Sequence, residues 1–178
     1  MVRIGGKWGV HGLLTGTFHR TLDDKLRLAL PKSLRDALGD ATDRPVFLAP
    51  GSDGSLALFP EASFEKLAQR LAAASPAAME VREYRRMFYA RATRAELDRQ
   101  GRLRLPQELS DFAGLVRDVV LLGVQDHVEL WDRDRWAAYL GSRQERYDAI
   151  AEAAFGGTPI GGPPRKPEQA EEVERIPR

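Results

Sequence analysis

The chain has 178 residues, 43% hydrophobic and 30% charged, with 27 basic against 26 acidic side chains and no cysteine. That content supports one domain or two small ones and excludes a disordered chain. The absence of cysteine excludes disulfides, thiolate nucleophiles and Cys-based zinc sites, and a net charge of +1 leaves the arrangement of charge to discriminate among partners.

In chain order, residues 1–13 are Gly-rich and aperiodic and read as an N-terminal extension carrying Arg3 and Lys7. A first half follows over 14–60. Leu28 and Leu30 alternate with Arg27 and Ala29, the period of a strand. Pro31 opens a short helix where its missing N–H costs nothing, and Gly39 closes it. Val46-Phe47-Leu48 reads as a buried strand, and Asp53-Gly54 as a turn into a strand from Leu56 to Phe59. A helical connection spans 61–94. Pro60 starts a helix with Phe64, Leu67 and Leu71 on one face, and Ser75-Pro76 starts another with Val81, Tyr84 and Phe88 in register.

The second half, 95–140, repeats the first. Leu103 and Leu105 alternate with Arg102 and Arg104, Pro106 and Gly114 bound a short helix, and Val119 to Leu122 forms a strand. Asp132 caps a helix with a stripe of Trp136, Tyr139 and Leu140. That stripe continues through Tyr147 and Ile150 in a C-terminal helix, 141–155, ended by Gly156-Gly157. It reads as packing surface. The tail, 156–178, is dense in Pro and Gly at its start and charged at its end.

The repeat is explicit. "LDDKLRLALP" (22–31) aligns with "LDRQGRLRLP" (97–106), and "PKSLRDALG" with "PQELSDFAG". Further on, "VFLAPGSDGSLALFP" aligns with "VVLLGVQDHVELWD" after one deletion. Polar and apolar positions match in order, so the unit is duplicated.

No catalytic or metal-binding pattern emerges. His11, His19 and His127 have no ligand partners at metal spacing, and no nucleophile elbow or phosphate loop is present. The repeated Asp-x-x-x-Arg is the informative motif. Asp23–Arg27 and Asp98–Arg102 can pair across a tight turn, with Gly101 supplying a positive φ. Those arginines, beginning strands beside a loop, could equally reach a phosphate. Arg20, Lys25, Arg27, Lys32 and Arg35 cluster in the first half, and eight arginines against three acids lie between Arg82 and Arg104. Phosphate contact is the favoured reading, and arginine suits bidentate contact.

At these residues the sequence resembles the MraZ family, bacterial regulators tied to the division and cell-wall gene cluster. The match rests on "GTFHRTLDDKLRLALPKSLRDALG", "LFPEASFEKL", "RMFYARATRAELDRQGRLRLPQELSDFAGL" and "VLLGVQDHVELWDRDRW". The resemblance implies an α+β fold, a tandem duplicated AbrB-type swapped-hairpin β-barrel (a pseudo-dimer in one chain) with peripheral helices. It implies a homo-oligomeric ring of eight or more subunits. That ring would bind double-stranded DNA at direct repeats upstream of its own operon, as a regulator and typically a repressor. No cofactor, metal, enzyme activity or membrane attachment is implied, and the expected location is cytoplasmic and nucleoid-associated. Carried over residue by residue, the DNA-binding set is Arg20, Lys25, Arg27, Arg35 and Arg102. Asp23, Asp98 and Gly101 form the structural motif. One departure stands out: the first motif ordinarily carries glycine where this chain has Leu26. Either the turn differs, or Leu26 is strained, or its side chain packs or enters the DNA groove. The first half, with the more basic set, is expected to read DNA while the second completes the barrel. The rival expectations are a protein-binding adaptor ring and an AbrB-type antitoxin.

Overall fold

A computed structural model describes residues 13–39, 45–75 and 77–156. The N-terminal extension through residue 12, Pro76 and the tail beyond residue 156 lie outside the described residues. The chain divides into two compact units, 1–137 and 138–178.

The first unit opens with β1 (Thr17–Thr21), β2 (Arg27–Ala29) and the short helix α1 (Lys32–Leu38). The hairpin β3 (Val46–Pro50) and β4 (Leu56–Pro60) follows, and then helices α2 (Glu61–Ala73) and α3 (Met79–Arg91). The second copy gives β5 (Thr93–Ala95), β6 (Arg102–Arg104), α4 (Gln107–Ala113), β7 (Asp118–Val124) and β8 (His127–Asp132). Helix α5 (Arg133–Arg143) starts in this unit and ends in the next.

The duplicated α+β pattern is therefore present. The strands form an antiparallel six-stranded sheet, ordered β1-β7-β8-β4-β3-β5, and a separate two-stranded ribbon of β2 and β6. Among the described residues the sheet is open, with β1 and β5 as its edges, and no ladder closes it into a barrel. The two copies pair symmetrically. β1 of the first half pairs with β7 of the second, and β5 of the second with β3 of the first. Leu28 faces its counterpart Leu103, and Ala57 faces its counterpart Glu129. A local two-fold axis passes through both pairs.

Alternation along the strands builds two apolar layers. Val46 and Leu48 of β3, Leu56 and Leu58 of β4, and Val128 and Leu130 of β8 join the main core with Leu28 and Leu103 of the ribbon. Leu34 and Leu38 of α1 and Leu109 and Ala113 of α4 close that core. The opposite residues, Phe47, Ala49, Ala57 and Phe59, meet Phe64 and Leu67 of α2 and Phe88 of α3. Phe64 stacks on Phe47 with ring centroids 4.4 Å apart.

The short helices end where glycine permits a left-handed backbone: Gly39 has φ 84° and Gly114 φ 61°. Pro31 and Pro106 stand one residue earlier than the sequence places them, as N-caps rather than first helical residues. Asp132 caps α5, its Oδ1 accepting from the N–H groups of Asp134 and Arg135 at 3.0 and 3.2 Å.

The second unit holds the end of α5, a 3-10 turn (Gln144–Arg146) and α6 (Tyr147–Phe155). The continuous stripe expected from Trp136 to Ile150 is thus broken into two helices. Ser142 Oγ donates to the Tyr139 carbonyl at 2.9 Å beside this break. Among the described residues no helix is long and apolar enough to cross a membrane.

Candidate nucleic-acid interface

Each half carries one braced turn. In the first, Asp23 Oδ1 accepts from the backbone N–H groups of Lys25 and Arg27, both at 2.9 Å. Asp23 Oδ2 takes Arg27 Nε at 2.6 Å. In the second, Asp98 Oδ1 accepts from the N–H groups of Gln100 at 2.9 Å and Arg102 at 3.0 Å. Asp98 Oδ2 takes Arg102 Nε at 2.7 Å. One carboxylate thus satisfies two backbone donors and holds one guanidinium, which fixes the loop and the root of the strand behind it.

Partial burial works against the charge on Asp23, but the Arg27 N–H and guanidinium and the Lys25 N–H outweigh it and hold the carboxyl below its ordinary value. Asp98 is lowered too, first by the Arg102 N–H, with desolvation opposing and the Arg102 guanidinium and Gln100 N–H assisting.

The backbone at the two turns is alike. Leu26 has φ 54° and Gly101 φ 72°, so the leucine adopts the conformation ordinarily left to glycine. The first turn keeps its shape, Leu26 is strained, and its partly buried side chain packs on the main core. The turns also bond across the axis. Leu105 N–H donates to the Leu26 carbonyl at 2.8 Å, and Leu30 N–H to the Gly101 carbonyl at 3.0 Å.

Charge is distributed differently from what the decapeptides alone convey. Arg27 stands directly opposite Arg104 across the ribbon. Two like charges face to face are unfavourable. Arg27 is neutralised by Asp23, whereas exposed Arg104 has no side-chain partner among the described residues. Arg104 also lines a groove of about 520 Å³ with Lys25 and Arg94, alongside the acids Asp24 and Glu96. Arg104 is the residue that sequence reasoning left out of the DNA-binding set. Part of its signal was present, since it flanks Leu103 with Arg102 at a period of two and so shares a strand face with Arg102; that Arg27 lies on the same face comes from the ribbon register.

The other singled-out residues fall elsewhere. Arg20, on edge strand β1, lines a separate depression with His19, Asp118 and Arg133, and its Nη1 donates to the His19 carbonyl at 2.7 Å. Lys32 pairs with Asp36 at 2.6 Å. Arg35 leaves the first turn altogether: its guanidinium lies on the Gly101 turn of the second half. The structure therefore brings Lys25, Arg27 and Arg104 together at one turn, and Arg35 and Arg102 at the other. No group of three or more histidine and carboxylate side chains suited to a metal ion occurs among the described residues.

Internally duplicated α+β chains with two carboxylate-braced basic turns form the class that this geometry defines. A family model described as "MraZ protein, putative antitoxin-like" matches residues 13–87 and again 88–157. The chain is 40% identical over 138 residues to a transcriptional regulator MraZ of Symbiobacterium thermophilum, covering 77% of this chain and 96% of that one. It is 37% identical over 145 residues to the protein of that name from Frankia alni, covering 82% and 99%, and 36% identical over 140 residues to that from Moorella thermoacetica, covering 79% and 95%. The chain belongs to the MraZ family, one of transcriptional regulators rather than enzymes.

Proposed function

We propose that this protein is a sequence-specific DNA-binding regulator of transcription, a repressor of the division and cell-wall gene cluster acting at direct repeats upstream of its own operon. The observation that carries the reading is the braced turn. It holds the Lys25 backbone at its tip with the side chain exposed, and roots Arg27 opposite the unpartnered Arg104, so the backbone that displays these cations is set before any ligand arrives. Cations displayed from a fixed turn suit a phosphate backbone, and arginine also suits guanine edges. Arg20, Lys25, Arg27, Arg35 and Arg102 form the contact set in this reading, joined by Arg104. Asp23, Asp98 and Gly101 shape the turns.

The finer architecture belongs to the same proposal. The exchange of β1 and β5 between halves supports a swapped-hairpin pseudo-dimer that completes an AbrB-type barrel, with the halves at 14–60 and 95–140 and β5 reaching back to Thr93 at the start of the second. Copies assemble into a ring of eight or more, and successive turns meet successive repeats, so weak contacts gain from effective concentration. The protein works on the nucleoid in the cytoplasm.

Lys25→Ala tests the reading. With the full chain, affinity for a duplex from its own upstream region drops while the mass by light scattering stays that of the parent oligomer. Equal affinity of parent and variant would remove Lys25 and the first turn from the interface. A monomeric parent would remove the ring.

A further inference from the structure

Arg35 belongs to helix α1 of the first half, yet its guanidinium sits on the turn of the second. A Cβ built on Gly101 would collide with Arg35 Nη1 and lie 2.7 Å from Cζ. Gly101 is thus a seat for a side chain from the other half as well as a source of positive φ. The seated cation has nothing to hold. Arg35 Nε is buried with no hydrogen-bond partner, and no ion pair or side-chain hydrogen bond engages Arg35 among the described residues. A guanidinium drawn part-way out of water without a counter-charge destabilises the free protein. Around it stand Arg99, exposed at the turn tip, and Arg102, whose charge is matched by Asp98.

The first turn has no such feature. The position that corresponds to Arg35 is Ser110, which is buried and donates to the Leu115 carbonyl at 3.2 Å. Leu26 has a side chain where Gly101 has none. The two halves are therefore not interchangeable, and the excess positive charge at the second turn has no internal explanation.

We propose that the second turn is a phosphodiester-binding site in its own right, with Arg35 of the first half as its principal cation and Arg99 as its second. This rests on the DNA-binding reading above and extends it. Each chain grips the nucleic-acid backbone at two turns, and the half expected only to complete the fold also makes contact. A phosphate oxygen fits because it accepts from several guanidinium donors at once.

The test is anisotropy of the full-length protein on a labelled duplex from its own upstream region, across a salt series, with melting curves of the protein alone. Arg35→Met and Arg99→Ala each flatten the plot of log affinity against log salt by about 0.9, the value for one lost phosphate contact. Arg35→Lys keeps the parent slope. Arg35→Met without DNA melts no lower than the parent, because an unpaired cation has gone. Unchanged slopes in both variants beside a binding parent would overturn this inference and take Arg35 out of the contact set, while Lys25 at the first turn would still carry the DNA reading. So would an Arg35→Met protein that unfolds or melts well below the parent, which would make Arg35 a structural brace. A changed oligomer mass with an unaltered slope would assign its counter-charge to a second copy of the chain, and also overturns the proposal. A parent that binds no duplex would overturn the DNA reading and this site with it.

Discussion

The two turns share a backbone and differ in what fills the space above it. Both use one aspartate to accept from the residues two and four positions on, and both enter the left-handed region one residue before the arginine. At the first turn the left-handed residue is Leu26. An L side chain there costs about 1–2 kcal/mol, and burial of its apolar surface against the core offsets a comparable amount. At the second turn glycine carries no such cost, and the freed space takes the guanidinium of Arg35. A large residue at the turn goes with a small one on the helix (Leu26 with Ser110), and a small one at the turn with a large one on the helix (Gly101 with Arg35). The braces fix the turn, and the halves have diverged in how they cover it.

The comparison can be broken at its axis. Leu28 and Leu103 are paired counterparts, both fully buried. Leu28→Ala and Leu103→Ala are each expected to cost about 2–5 kcal/mol, with similar losses in urea unfolding. A large inequality would mean that the halves do not share one core. The turns themselves predict a smaller and unequal pair of effects. Gly101→Ala costs about 1–2 kcal/mol from the backbone alone and also displaces Arg35. Leu26→Gly relieves strain but loses packing, so its stability stays within about 1 kcal/mol of the parent. If Leu26→Gly proved the more damaging, the account of Leu26 as strained would fail.

Acid sharpens the likeness of the braces. Asp23 and Asp98 both have folded pKa values below 3.8, so their contribution is present above that pH. It is lost as pH falls through the lower folded values. Asp23→Asn and Asp98→Asn should each lower the melting temperature at neutral pH, and the gap from the parent should narrow towards strong acid. The smallest effect belongs to the hairpin tips. The second-half hairpin carries His127, stacked on Phe59 with centroids 5.0 Å apart, where the first half has buried Ser55. Glu129 raises the His127 pKa, with burial opposing and Asp126 assisting. A raised folded value means that its stabilisation is full below 6.5 and fades as pH rises through the folded pKa. His127→Gln should therefore melt below the parent in mild acid and approach it in base, and an NMR titration of the imidazole should show a midpoint above 6.5.

Much of this fold was legible in order and period. The alternation of Leu28, Leu30, Leu103 and Leu105, the closing Gly39 and Gly114 and the capping Asp132 are local signals, and local physics decides them. The four-residue spacing of aspartate and arginine offered an ion pair at each turn and left phosphate contact by the arginine open beside it. What pairs across the axis was not legible. Nothing in "PKSLRDALG" says that Arg35 leaves its own turn for the other, because that depends on how two distant copies dock. The facing of Arg27 by Arg104 is a matter of ribbon register, which the alignment of the decapeptides does not contain. The break in the C-terminal stripe was missed because apolar spacing alone does not register where a helix gives way to a 3-10 turn.

The most direct test of the central claim is anisotropy of the unmodified full chain on two duplexes, one from its own upstream region and one with those bases shuffled, over a range of salt. An operator-reading regulator binds the first more tightly at every salt, and its affinity falls steeply as salt rises. Equal and weak binding to both would contradict the claim and would leave the braced turns to a protein partner.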